Sequence, residues 1–210
     1  MSAGVGGPPL APSKPGRDPL DRYYTDDRLA DRCITWLLSR YAEPAVVLEP
    51  CAGGGAFGRA ALRAMNAPIV LGCDIDPEAA PGYPCEQVAA ADWRPDIGKS
   101  APVWIVTNPH YQGVYDTIRD MRALQVEAGA HILALLLRAT VIEQVMDGRD
   151  RPNAMAVSSQ RPRWGGPGGA GLRSGDTCGS VLCVWFRCPA DWGPPTTIHG
   201  LGDWRPRGRG

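Results

Sequence analysis

The chain has 210 residues, with 44% hydrophobic and 21% charged residues and 22 Lys and Arg balanced by 22 Asp and Glu. That length suits one domain with a substantial core, and the composition excludes a disordered polyampholyte and a membrane protein, since apolar runs such as Ile132 to Leu137 fall far short of a bilayer span. Zero net charge excludes a protein that coats nucleic acid indiscriminately, and seven cysteines without framework spacing point to free thiols in a reducing cytoplasm.

The 26 glycines and 21 prolines are unevenly placed and mark the boundaries. Residues 1–19 read as a disordered Gly/Pro-rich leader, without the basic start and apolar core of a secretory signal. Residues 20–190 read as one α/β domain and residues 191–210 as a flexible basic tail ending in Arg205, Arg207 and Arg209. Within the domain a helix is expected to open at Thr25 as N-cap, with Asp26 and Asp27 at the positive end of its dipole. Leu29, Cys33, Ile34, Trp36, Leu37 and Tyr41 recur at helical spacing behind it. A strand at 45–48 leads into Glu49-Pro50 and three glycines, and 56–65 reads as a helix. Further strands are expected at 69–73, 85–91 and 103–107, ending at Asp74, Asp92 and Asn108. An amphipathic helix with Val114, Ile118, Met121 and Leu124 closes at Gly129. A strand at 131–137, a short helix at 140–147 and strands at 154–158 and 181–187 complete the set. Alternating strands and helices predict a mostly parallel sheet covered on both faces, which binds ligands beyond the carboxyl ends of its strands. Each polar signature falls at such an end.

Gly53-x-Gly55-x-x-Gly58 matches the dinucleotide pattern, and Asp74 lies near the expected distance downstream, able to accept hydrogen bonds from ribose hydroxyls. Glycine lets a backbone approach a ligand closely and leaves the next helix's N–H groups free. NAD and S-adenosylmethionine both fit this loop, whereas the absence of a following Gly-Lys-Ser/Thr excludes a nucleoside-triphosphate loop. A tight turn in which glycine only relieves strain is the plainer alternative.

Glu49-Pro50 before the glycines and Asn108-Pro109-His110-Tyr111 at the fourth strand end separate the two ligands. With these residues the sequence resembles the amino-methylating branch of the Rossmann-like class I methyltransferases, and within it the small phage-type DNA N6-adenine enzymes. The resemblance runs from about Tyr23 to Phe186. It implies S-adenosylmethionine as cofactor, with Tyr23, Tyr24 and Thr25 toward its methionine end. Glu49, Pro50, Gly53 and Gly55 then form the cofactor loop, Asp74 and Ile75 lie at its ribose, and Asp92 and Trp93 lie beside its adenine. Asn108, Pro109 and Tyr111 match the catalytic motif, and Arg161, Pro162 and Trp164 a later substrate segment. His110 stands where the family usually has a second proline.

The chemistry of that motif is direct. The lone pair of an exocyclic amine on a base is delocalised into the ring. Two acceptors at its N–H groups, the Asn108 side-chain oxygen and the Pro109 carbonyl, draw the nitrogen toward tetrahedral geometry. Tyr111 offers a stacking face for an extruded base, and His110 a possible substrate contact. The methyl then passes in line, with no metal and no covalent enzyme intermediate.

Cys178, Cys183 and Cys188 lack the short spacings of a zinc site, and Pro84-Cys85 precedes its strand, which argues against a cysteine nucleophile. Residues 151–210 carry 8 Lys and Arg against 3 Asp and Glu, whereas residues 1–150 carry 14 against 19. The basic segment with Arg161, Arg163 and Trp164 suits phosphates and a stacked base, so DNA is the expected partner, with little chain left for a separate target-recognition domain. Rival readings are the same chemistry on cytosine N4, an RNA adenine or a protein glutamine, an NAD-dependent oxidoreductase, and a non-catalytic nucleic-acid-binding module.

Overall fold

The computed structural model of the protein describes residues 24–97, 101–110, 113–147, 151–158, 179–187 and 197–201. Their elements in chain order are α1 (Asp27–Leu38), β1 (Val46–Pro50), α2 (Ala56–Ala64), β2 (Ile69–Asp74), β3 (Cys85–Gln87), β4 (Val103–Thr107), α3 (Val114–Glu127), β5 (Ile132–Arg138), α4 (Ile142–Asp147), β6 (Ala154–Val157), β7 (Ser180–Phe186) and β8 (Thr197–Gly200).

Among the described residues the strands form one sheet in the order β3-β2-β1-β4-β5-β7-β6-β8. β1 pairs in parallel with both β2 and β4, and β4 in parallel with β5. β7 lies antiparallel between β5 and β6, so it alone among these strands reverses the sheet direction. The carboxyl ends of β1, β2 and β4 therefore share one edge, which places Pro50, Asp74 and Thr107 together there.

Alternation of side chains sorts the central strands onto two cores. Trp104, Val106, Ala134 and Leu136 pack with Leu29, Ile34 and Leu37 of α1 and Phe57 and Ala60 of α2. Val103, Ile105, Leu133 and Leu135 face the other way, against Ile118, Met121 and Leu124 of α3. β4 is buried along its whole length, the pattern of a strand covered on both faces.

Three differences from the expected elements have local causes. The cap of α1 is Asp26 and not Thr25: the Asp26 carboxylate accepts the Arg28 N–H at 2.9 Å. β3 stops at Gln87 because the Val88 N–H turns back to the Glu86 carbonyl, and the Asp92 N–H then closes a turn onto Ala89. Residues 197–200, inside the stretch expected to be a tail, add a parallel strand to β6. Arg32 of α1 donates to the Leu201 carbonyl at 2.5 Å, Leu201 is fully buried, and the His199 ring lies 5.5 Å from that of Trp36. Two elements, β6 and α1, anchor a segment too short to carry its own signal. The leader and the rest of the tail lie outside the described residues.

Candidate active site at the strand ends

The site grows from the turn that leaves β1. Cys51, Gly53 and Gly55 all adopt positive φ, 57°, 50° and 76°, so three of five residues are left-handed and the chain reverses sharply into α2. A Cβ on Gly55 would overlap Pro81, including its carbonyl oxygen at 2.5 Å. Glycine at 55 answers both a backbone and a packing demand.

Side chains from distant positions hold the turn. Glu49, 2% exposed, accepts the Phe57 N–H at 3.2 Å and the Gly58 N–H at 2.5 Å, filling the N-terminus of α2 with a carboxylate. The Tyr83 hydroxyl donates to the same carboxylate. Burial pushes the Glu49 carboxyl up to about 7, against the opposing pull of the Tyr83 hydroxyl, the two N–H groups and the Arg59 charge. Asp74 accepts the Gly53 N–H at 2.7 Å and the Asp76 N–H at 2.9 Å. Arg59 donates to the Gly54 carbonyl, to the Pro81 carbonyl at 3.2 Å and to Asp27 at 2.6 Å, tying the loop, the segment after β2 and the start of α1 together.

An open cleft lies over this turn. It is lined by Tyr24, Thr25 and Asp27 ahead of and in α1, by Glu49, residues 51–56 and Arg59 around the turn, and by Asn108 after β4. The Tyr24 ring lies on the loop: a Cβ on Gly53 would sit 2.9 Å from it and one on Gly54 3.2 Å from it. The Thr107 hydroxyl donates to the Pro50 carbonyl, which joins the ends of β4 and β1 and sets Asn108 beside the glycines. Burial pushes the Cys51 thiol up to about 12, reinforced by the Asp74 charge and opposed by a hydrogen bond from the His110 backbone.

Of the expected site residues, Tyr24, Thr25, Glu49, Gly53, Gly55 and Asn108 meet in this cleft, although 84 positions separate the first from the last. Pro50 closes β1 beneath it, and Asp74 reaches it through Gly53. Ile75 stands 53% exposed beyond the β2 end, Asp92 is exposed, and Pro109 is buried beside Asn108. The His110 ring points outward, with Nε2 3.2 Å from the Thr117 hydroxyl of α3. Trp93 is not brought to the cleft. Its indole is 1% exposed in the core under α3 and donates to Glu86 at 2.9 Å. Tyr23, Tyr111, Arg161, Arg163 and Trp164 lie outside the described residues.

Arg59, Asp27 and Tyr83 belong to the site but carry no motif. Arg59 follows Gly55 by one helical turn, and Tyr83 follows a Pro-Gly turn signal at Pro81-Gly82, the marks by which sequence could have singled them out. Among the described residues no group of three His, Cys, Asp or Glu side chains is placed to hold a metal ion, and no helix is long and apolar enough to cross a membrane. The cleft offers a ligand the Tyr24 ring, the polar backbone of residues 51–56 and the Asn108 side chain, while its carboxylates are engaged, Asp27 with Arg59 and Glu49 with the α2 N-terminus and Tyr83.

No protein-family model matches the sequence, and no curated protein sequence does. In structure, the chain is similar to a protein from Pyrococcus horikoshii assigned as an RNA methyltransferase, with a TM-score of 0.51 and 12% identity over 80% of this chain and 87% of that one. A chain assigned as the modification subunit of a type I restriction enzyme from Vibrio vulnificus gives 0.49 at 12% identity, over 89% of this chain and 48% of that one. The plantazolicin methyltransferase BpumL, solved with a desmethylPZN analogue and SAH, gives 0.43 at 12% identity, over 58% and 51%. The chain thus spans about half the length of the last two. The fold is Rossmann-like, with a mostly parallel sheet covered by helices on both faces.

Proposed function

We propose that the protein is an S-adenosylmethionine-dependent methyltransferase acting on an exocyclic amino group, with adenine N6 in DNA as the best-supported acceptor. The observation that carries this reading is the meeting of Asn108 with the glycine loop and with Tyr24 and Thr25 in one cleft. A dehydrogenase needs the glycine loop but gives Asn108-Pro109 no work. An amine methyltransferase needs both, within one methyl group's reach of each other.

In this reading Tyr24, Thr25 and the residues 51–56 bind the cofactor's methionine end, Asp74 its ribose, and Ile75 offers an apolar surface to its adenine. When bound, the cofactor supplies a methyl group on a positively charged sulfur. Asn108 and Pro109 act on the acceptor: the carboxamide oxygen and the Pro109 carbonyl accept the two amine hydrogens, orient the nitrogen lone pair and take up the charge that develops on the nitrogen. Thr107, fully buried and donating to Pro50, keeps those acceptors at a fixed height above the loop. The motif assigns Tyr111 the stacking of the acceptor base, and Arg161, Arg163 and Trp164 the binding of the strand that carries it.

Labelled methyl transfer onto unmethylated DNA, RNA and protein in parallel tests the reading. N6-methyladenine in the DNA arm is the expected product. Label confined to RNA or protein moves the acceptor, and no label in any arm refutes the activity.

A further inference from the structure

The glycine pattern of this loop usually leaves the next helix's first N–H groups free for a pyrophosphate. Here they are taken. The Phe57 and Gly58 N–H groups both point at the Glu49 carboxylate, which is buried in the chain itself. A ligand bringing a second anion to this helix end meets a like charge. A ligand bringing a cation meets an opposite one.

The Glu49 carboxylate is held there from outside the motif. Tyr83 donates to it, and the Tyr83 ring fills the space left by two glycines: a Cβ on Gly58 would overlap the ring, and one on Gly72 would come within 3.0 Å. Gly58 and Gly72 are thus matched to an internal tyrosine and not to a bound phosphate. Pro81, two residues earlier, lies against Gly55, and Arg59 donates to the Pro81 carbonyl. The segment from Pro81 to Tyr83 is locked onto the loop through three glycines and an arginine.

We infer that Tyr83 is a positioning residue that fixes the Glu49 carboxylate on the α2 N-terminus, and that this internal anion makes the cleft select its adenosyl ligand by charge, preferring the cationic sulfonium to the neutral thioether left after methyl transfer and rejecting a dinucleotide. The inference rests on the proposed methyltransferase reading, and it adds a reason for product release: loss of the methyl group removes the positive charge that Glu49 attracts. The titratable groups facing Glu49 are Tyr83 and Cys85 after β2, Arg59 of α2 and Cys51 after β1. Burial pushes the Tyr83 hydroxyl far up and the Cys85 and Cys51 thiols up to about 11 and about 12, so Glu49 is the group of this set that changes charge near neutrality.

The test uses calorimetric titration of the full chain with S-adenosylmethionine, S-adenosylhomocysteine and NAD between pH 5.5 and 9, for wild type, Tyr83→Phe and Glu49→Gln. Tyr83→Phe keeps the ring and removes only the hydroxyl, and a melting curve for each variant checks folding. In wild type the sulfonium ligand should gain about tenfold over the thioether as pH rises through about 7, and NAD should not bind above that pH. Tyr83→Phe should move the midpoint of that gain upward, and Glu49→Gln should make the ratio independent of pH. A carbon NMR titration of the Glu49 carboxyl should show the same upward movement in Tyr83→Phe without any ligand. Equal midpoints in wild type and Tyr83→Phe, or a pH-independent ratio in wild type, overturn the inference and leave the methyltransferase reading standing. Absence of binding by either adenosyl ligand at every pH overturns both.

Discussion

The two walls of the cleft are held in different ways. On the glycine-loop wall, side chains from β1, β2 and α2 satisfy the backbone. Glu49 takes two N–H groups, Asp74 takes the Gly53 N–H, and Arg59 takes the Gly54 carbonyl. On the wall that carries Asn108, the described anchors lie beside the reacting segment: Thr107 below it on Pro50, and Thr117 of α3 against His110. Changes to the first wall should therefore cost stability and ligand binding together. Changes to the second should cost chemistry while the fold persists.

The largest separation is expected from Asn108→Ala. Methyl transfer should fall at least about 100-fold while cofactor affinity stays within about twofold, because the acceptor lost serves the amine and not the loop. Single-turnover kinetics beside titration calorimetry checks this, and retained turnover would break the comparison. Gly55→Ala tests the other wall: positive φ and the overlap with Pro81 should together destabilise by about 2–4 kcal/mol, read as a lowered denaturant midpoint.

Glu49 adds a pH-dependent effect of intermediate size. Its pKa is raised by folding from the ordinary 4.5 to about 7, so the folded chain holds the proton more tightly than the unfolded chain. Stability should decline as pH rises from about 4.5 to about 7, by on the order of 1–3 kcal/mol, and the decline should flatten in Glu49→Gln when denaturant midpoints are compared across pH. The smallest effect belongs to Arg59→Ala. Its ion pair with Asp27 is 36% and 51% exposed and contributes little, so a loss of about 1 kcal/mol should come mostly from the two carbonyls it leaves. A much larger loss would mean that the Asp27 end of α1 depends on that ion pair.

The strand-helix alternation, the placement of the polar signatures at strand ends and most of the cleft residues were legible because each rests on local chemistry. Glycines mark left-handed turns, Asn-Pro ends a strand, and apolar spacing marks the buried face of α1. Trp93 shows the limit of adjacency. It follows Asp92 directly, yet the chain turns after Gln87 and buries the indole under α3. Thr25 lost the cap to Asp26 because a carboxylate at that position reaches the Arg28 N–H, a choice between neighbours that propensity alone leaves open.

What local pattern could not show is which partner each signature has. Glu49 reads as a ligand residue in one dimension, while in the fold it serves the α2 N-terminus and Tyr83. The third glycine of the loop reads as a phosphate feature, while in the fold it makes room for a ring 25 positions away. β8 has too little periodicity of its own to be recognised, and it exists because β6 offers an open edge and α1 a guanidinium for the Leu201 carbonyl. Backbone dihedral preference and side-chain periodicity act within a few residues and are written along the chain. Desolvation, steric fit and charge pairing depend on which segments meet, and the closing of the sheet settles those meetings.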